Sequence, residues 1–108
     1  MRQWDIYVYP FTLEQPHPVV ILSIDERAAA RKFVNGLLCV SLRGGTSLRE
    51  TECLLDQADG LDWATAVRCD LIHQLEKDRF TEKRGEVSPA RRRQICRKLI
   101  ECFRLAQW

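Results

Sequence analysis

No stretch of this 108-residue chain approaches the ~18–20 consecutive apolar residues that a bilayer span needs, and the opening MRQWDIYVYP lacks the apolar centre of a secretory leader. The expectation is a soluble, cytoplasmic protein with no membrane role. Familiar site motifs are also missing. There is no glycine-rich phosphate loop after a strand, no H-E-x-x-H, no G-x-S-x-G and no EF-hand loop, so nucleotide, zinc-protease, serine-hydrolase and calcium chemistry lack their signatures. Histidine is scarce, with only His17 and His73, and no two of the five cysteines are spaced C-x-x-C. No metal site and no cofactor is therefore expected, and any catalysis would be metal-free acid–base chemistry. An odd number of cysteines excludes a complete disulfide framework; Cys39, Cys53, Cys69, Cys96 and Cys102 sit mostly among aliphatic neighbours and read as buried reduced thiols.

What is present suits one domain over residues 1–108. Hydrophobic residues make up 45%, enough for a chain of this size to bury roughly 60–70% of its unfolded surface. Trp4 to Tyr9 alternates as a strand does, and Pro10 is expected to stop it, leaving residues 10–18 as a proline-rich loop. Val19 to Ile24 is a β-branched run of the kind buried on both faces, which predicts the central strand. Residues 25–32 suggest a helical turn, Phe33 to Leu42 a third strand, Arg43 to Ser47 a flexible turn and Thr51 to Leu55 a fourth strand. A single helical turn capped by Asp62 is expected at Leu61–Thr65, then strands at Ala66–Leu75 and Phe80–Val87. Ser88 as N-cap and Pro89 at the first position open a helix to about Leu105, with Ile95, Leu99, Cys102 and Ala106 as its apolar stripe, widened by Cys96 and Phe103. Short strands closed by one C-terminal helix make a mainly β fold, a small curved SH3-like barrel.

Charge is uneven along the chain. Residues 1–78 carry 8 Lys/Arg and 12 Asp/Glu, whereas residues 79–108 carry 9 and 3. That basic end suggests a polyanion or an acidic peptide as partner, beside the plain alternative of a solvated helix face. Arg91, Arg92 and Arg93 would oppose the helix dipole, a cost that a phosphate backbone or acidic segment would offset. His17, flanked by Pro16 and Pro18, is expected on a stiffened loop at the barrel mouth, and His73 as a packed, hydrogen-bonded histidine. Ser41 and Arg43, two residues apart before Gly44 and Gly45, form a candidate phosphate grip, against the plainer reading of a turn. Phe11 is a candidate platform for a base, with core packing as the alternative.

Five segments resemble one family in order: WDIYVYP, EQ-x-HP running into VVILS, LLCVSLRGG, AVRCDLIHQLEKDRF and GEVSPARRRQICRKL. Together they are similar to the MazF/PemK toxins of bacterial type II toxin–antitoxin modules, over about residues 4–105. The resemblance implies a CcdB/PemK-like barrel with a C-terminal helix, acting as a homodimer that cuts single-stranded RNA without metal. It also implies a cognate antitoxin whose disordered acidic tail occupies the RNA groove. His17 falls where the family has a catalytic arginine, and a family threonine aligns with Val40 or with Ser41.

On this reading His17, Ser41 and Arg43 are catalytic, and Phe11, Gln15 and Gly44 contact RNA, in an electropositive cleft at the barrel rim. His17 serves as acid or base, Ser41 donates to the phosphate and Arg43 is its charge partner. Two alternatives stand beside it. One is a CcdB-like poison of DNA gyrase, suggested by MRQWDIYVY and by Trp108 in the tail; the other is a degenerate member that binds antitoxin but cuts nothing.

Overall fold

The computed structural model describes residues 1–12 and 15–105. Its centre is β2 (Gln15–Ile21), flanked by β1 (Asp5–Thr12) and β3 (Phe33–Ser41). The run Val19–Ile21 is fully buried because both faces are covered: Val20 packs with Ile6, Leu37 and Ile95, while Val19 and Ile21 pack with Tyr9, Ala28, Val34 and Leu75. The remaining elements are α1 (Asp25–Ala30), β4 (Glu52–Leu55), β5 (Thr65–Arg68), β6 (His73–Glu76), β7 (Lys83–Glu86) and α2 (Pro89–Phe103). The sheet runs β4-β5-β3-β2-β1-β7, and β6 also pairs with β3. It is mostly β, curled into a half-barrel with a C-terminal helix, as the sequence leads one to expect.

Several expectations are corrected. Pro10 does not end the first strand, which runs on to Thr12 through a register shift, and the supposed loop at 10–18 is largely the start of β2. His17 is therefore a strand residue, paired with Tyr9. The single strand expected over Ala66–Leu75 is two, β5 and β6, separated at Cys69–Ile72. β5 pairs with β3 through Cys39–Ser41, and β6 pairs with it through Phe33–Gly36, so the chain must bend between them. The helical turn lies earlier than expected, at Gln57–Asp59, capped by Asp56 rather than Asp62. Asp56 accepts from the Ala58 N–H and, in return, Asp59 accepts from the Asp56 N–H, a reciprocal cap.

Ser88 does precede α2, but its side chain makes no capping bond. The helix start is held instead by Asp59, whose carboxylate accepts from the Ser88 N–H at 2.8 Å and from Arg91 at 2.9 Å. Ile95 is the buried anchor of the helix, with Leu99 and Cys102 packing behind it. Cys96 and Phe103 do not widen the stripe, because both face solvent, and Ala106 lies outside the described residues. Cys39, Cys53 and Cys69 are buried thiols, but Cys96 is exposed.

Candidate functional site

A cleft opens where β2 and β3 part. The Leu22 N–H donates to Asn35 O of β3. By the two-residue alternation of a strand, the nitrogens of Val20, Pro18 and Pro16 face the same edge. Proline has no proton to donate, so pairing with β3 stops at Val19–Leu38. Beyond that point the strands diverge, leaving His17 half-buried on one side and Ser41 exposed on the other. Both line a cavity of about 330 Å³ together with Trp63, Asp62, Glu82 and Arg84. Val40, the alternative match to the family threonine, is not among its walls.

The imidazole of His17 is bounded by Phe11, whose ring stands edge-on 6.0 Å away, centre to centre. Phe11 also meets Tyr9 at 5.0 Å and His73 at 5.4 Å, so the ring is half-buried in an aromatic cluster and not free on both faces. His73 is not the hydrogen-bonded histidine expected: its Nε2 is buried without a partner among the described residues. Gln15 is exposed at the start of β2, opposite Thr12.

Across the cleft, Ser41 Oγ accepts from the Arg43 N–H at 3.1 Å, which leaves the hydroxyl proton free to donate outward. β3 ends at Ser41, so Arg43 belongs to the turn and the strand alternation expected to align the two side chains does not apply. Its guanidinium lies 4.0 Å above the ring of Trp63, the cleft's aromatic wall. Gly44 and Gly45 follow with φ +83° and open space around them, the turn that paired glycines predict.

Arg84 escaped the sequence reading. A signal was present in R-G-E near the start of the chain's basic segment, but its meaning depends on a close approach of backbones. A Cβ on Gly85 would collide with Asp59 O, so only glycine lets β7 cross the Gln57–Asp59 turn. Gly60 closes that turn with φ +87°. This crossing brings Arg84 to Asp62 at 2.6 Å, with Glu82 3.8 Å away.

The cleft is not electropositive. One arginine faces two carboxylates in its walls, and Arg43 adds a second cation above Trp63. Five of the nine cations of the basic C-terminal segment are paired within the chain, Arg84 among them. Lys83 pairs with Asp5, Arg92 with Glu86 and Lys98 with Glu101, while Arg91 bridges Asp56 and Asp59. The cost of Arg91 and Arg92 at the start of α2 is thus offset within the chain, with Arg92 also donating to Val87 O at 2.7 Å, while Arg93 has no partner among the described residues. The Ala58 amide, then Arg91, hold the Asp56 carboxyl below its usual range, and Asp5 raises Lys83.

The thiols stand apart from the cleft. Burial pushes Cys39 up to about 12. Its neighbour Cys69 brings Cys53 down to about 7 and is itself driven upward. Among the described residues no group of three or more His, Cys, Asp or Glu converges as a metal site.

The chain is a half-barrel of this strand order under one C-terminal helix. It superimposes on an endoribonuclease from a mycobacterial species in complex with its cognate antitoxin, with TM-score 0.83 and 23% identity, covering 100% of this chain and 98% of that one. The Mycobacterium tuberculosis toxin MazF-mt6 gives 0.79 and 19%, covering 96% and 99%. A MazE–MazF crystal structure from Deinococcus radiodurans gives 0.77 and 17%, covering 97% of both chains. No curated protein sequence matches. The chain belongs to the PemK-like, MazF-like toxin family of type II toxin–antitoxin systems, whose model matches residues 2–103. No described helix is long and apolar enough to cross a membrane.

Proposed function

We propose that this toxin is a metal-independent endoribonuclease for single-stranded RNA, acting in the cytoplasm as a homodimer of one toxin domain per chain. A cognate antitoxin with a disordered acidic tail holds it inactive. The observation that carries the reading is that the His17 imidazole, the Ser41 hydroxyl and the Arg84 guanidinium line one cavity of about 330 Å³, while Arg43 is not among its walls and lies over the ring of the wall residue Trp63. Similarity to an endoribonuclease held by its antitoxin supports it.

In the reaction, His17 accepts the proton of a ribose 2′-hydroxyl, and the 2′-oxygen attacks the adjacent phosphorus. The P–O5′ bond breaks, the 5′-oxygen takes up a proton from water while the His17 imidazolium returns its own to solvent, and the products carry a 2′,3′-cyclic phosphate and a 5′-hydroxyl. Histidine is the side chain suited to exchanging a proton near neutral pH. Ser41 Oγ–H and Arg43 stabilise the phosphate oxygens, and Arg84 joins them by exchanging Asp62 for phosphate. Gln15, exposed at the start of β2, and Gly44, exposed in the turn after β3, contact the flanking nucleotides, and Phe11 keeps the imidazole in place.

Incubation with unstructured RNA in EDTA tests the reading. Cleavage by the wild type that drops by about 10²–10⁴ in His17→Ala is expected. No cleavage, or equal cleavage by the variant, contradicts it. The two carboxylates in the cleft favour the degenerate alternative specifically, in which the chain binds antitoxin without cutting; growth arrest on expression alone would exclude that. The gyrase-poison alternative rests on Ala106–Trp108, outside the described residues, and predicts that their deletion abolishes toxicity.

A further inference from the structure

We infer that the pocket between α1 and the start of β3 is a second contact for the RNA, holding backbone phosphates on Arg27, Arg31 and Lys32 and a base on Phe33. The inference rests on the ribonuclease reading and accounts for a deficit within it: the cleft alone has too little positive charge for a polyanion. The pocket encloses about 450 Å³, with Asn35 and Gln74 beside the three cations and the ring. Among the described residues none of the three cations is in an ion pair, unlike most of the basic C-terminal segment. Three acids lie near it: Asp25, engaged by Arg2, Glu26, which precedes Arg27 in α1, and Glu76, opposite Phe33 in the β3–β6 register.

Two features prepare the pocket for an anion. The C-terminal carbonyls of a helix repel negative charge, but Lys77 Nζ donates to Ala28 O at 2.9 Å and Ala29 O at 3.1 Å, covering that end of α1. Phe33 begins β3 yet is 42% exposed, while the next residue, Val34, is buried. Lys32 Nζ lies over its ring, 5.7 Å from the centre. Asn35 and Gln74, paired across the strands, place amide donors and acceptors beside it. Cations, an exposed ring and amides together fit single-stranded nucleic acid, whereas an acidic peptide has no need of the ring.

The pocket is at the far end of the 9-residue strand β3 from Ser41, roughly 25–30 Å of strand away, so only a strand of several nucleotides reaches both sites. Labelled, uncleavable 2′-O-methyl RNAs of about 4 and about 16 nucleotides separate the two contacts. In Arg27→Ala/Arg31→Ala/Lys32→Ala, affinity for the long RNA is expected to fall tenfold or more. The slope of log affinity against log salt should shrink by about 2, since each phosphate contact contributes ~0.7. Binding of the short RNA should not change, and Phe33→Ala should weaken only the long one. Equal binding of the long RNA by variant and wild type overturns the inference and leaves the ribonuclease reading intact. A variant that loses an acidic peptide while keeping long-RNA affinity assigns the pocket to a protein partner and overturns it as well. A wild type that binds neither RNA removes both readings.

Discussion

Asp59 is one of four buried polar or charged residues described, 1% exposed, and it accepts hydrogen bonds from Asp56, Ser88 and Arg91. Removing it in Asp59→Ala strands Arg91 and the start of α2, and should cost about 3 kcal/mol in urea unfolding. By contrast, Arg2→Ala, which breaks a solvent-exposed pair with Asp25, should leave the urea midpoint nearly unchanged at neutral pH. Gly85→Ala should lower stability by about 1–3 kcal/mol in the same assay, because its Cβ meets backbone that cannot turn aside. Asp25 and Asp56 have lowered carboxyl values, from the Gln3 and Ala58 amides first and then from Arg2 and Arg91. Their stabilisation is present above the unfolded value near ~4 and is lost as pH falls through the lower folded values, so the acid unfolding midpoint should rise when either is replaced. At this scale the sequence exposed His17 and Ser41 through rare residue types and a turn signal. Arg84 stayed hidden because its placement depends on two glycines far apart in sequence.

Among the elements, β2, β3, α1 and α2 were legible from local chemistry: a β-branched run, a strand ended by paired glycines, an alanine-rich turn and a proline at a helix start. The breaks were not. Pro10, Pro16 and Pro18 looked like loop residues, yet they sit in strands at positions where β1 shifts register or β2 has lost its neighbour. Which edge of a strand is unpaired is a tertiary fact. The same holds for the bend at Cys69–Ile72, where β5 and β6 take turns along β3. α2 ends on Arg104, in the left-handed region at φ 53°. Since glycine adopts that conformation without the Cβ penalty, Arg104→Gly should raise stability by up to about 1 kcal/mol, read as a higher urea midpoint at unchanged slope.

For the whole molecule, charge along the chain was a poor guide to charge in space. Lys83, Arg84 and Arg91 of the basic C-terminal segment are folded against acids of the first part, and Arg92 and Lys98 against acids of their own segment, whereas Arg27, Arg31 and Lys32, in the segment that reads as acidic, have no ion pair among the described residues. The half-barrel uses its strand divergence to make a cleft and its far edge to present these cations. Family membership and fold are carried by residues 2–103 as a whole, while the chemistry depends on a few side chains at the cleft.

The central claim is that His17 and Ser41 face one phosphodiester and promote attack by its own 2′-hydroxyl. The most direct measurement is mass analysis of the products from a short RNA and from the same RNA with one 2′-deoxy residue at the scissile position, in EDTA. The account predicts a 2′,3′-cyclic phosphate on the upstream fragment of the first and no cut at that position in the second. Upstream fragments ending in a free 3′-hydroxyl, or a cut at the 2′-deoxy residue, would contradict it.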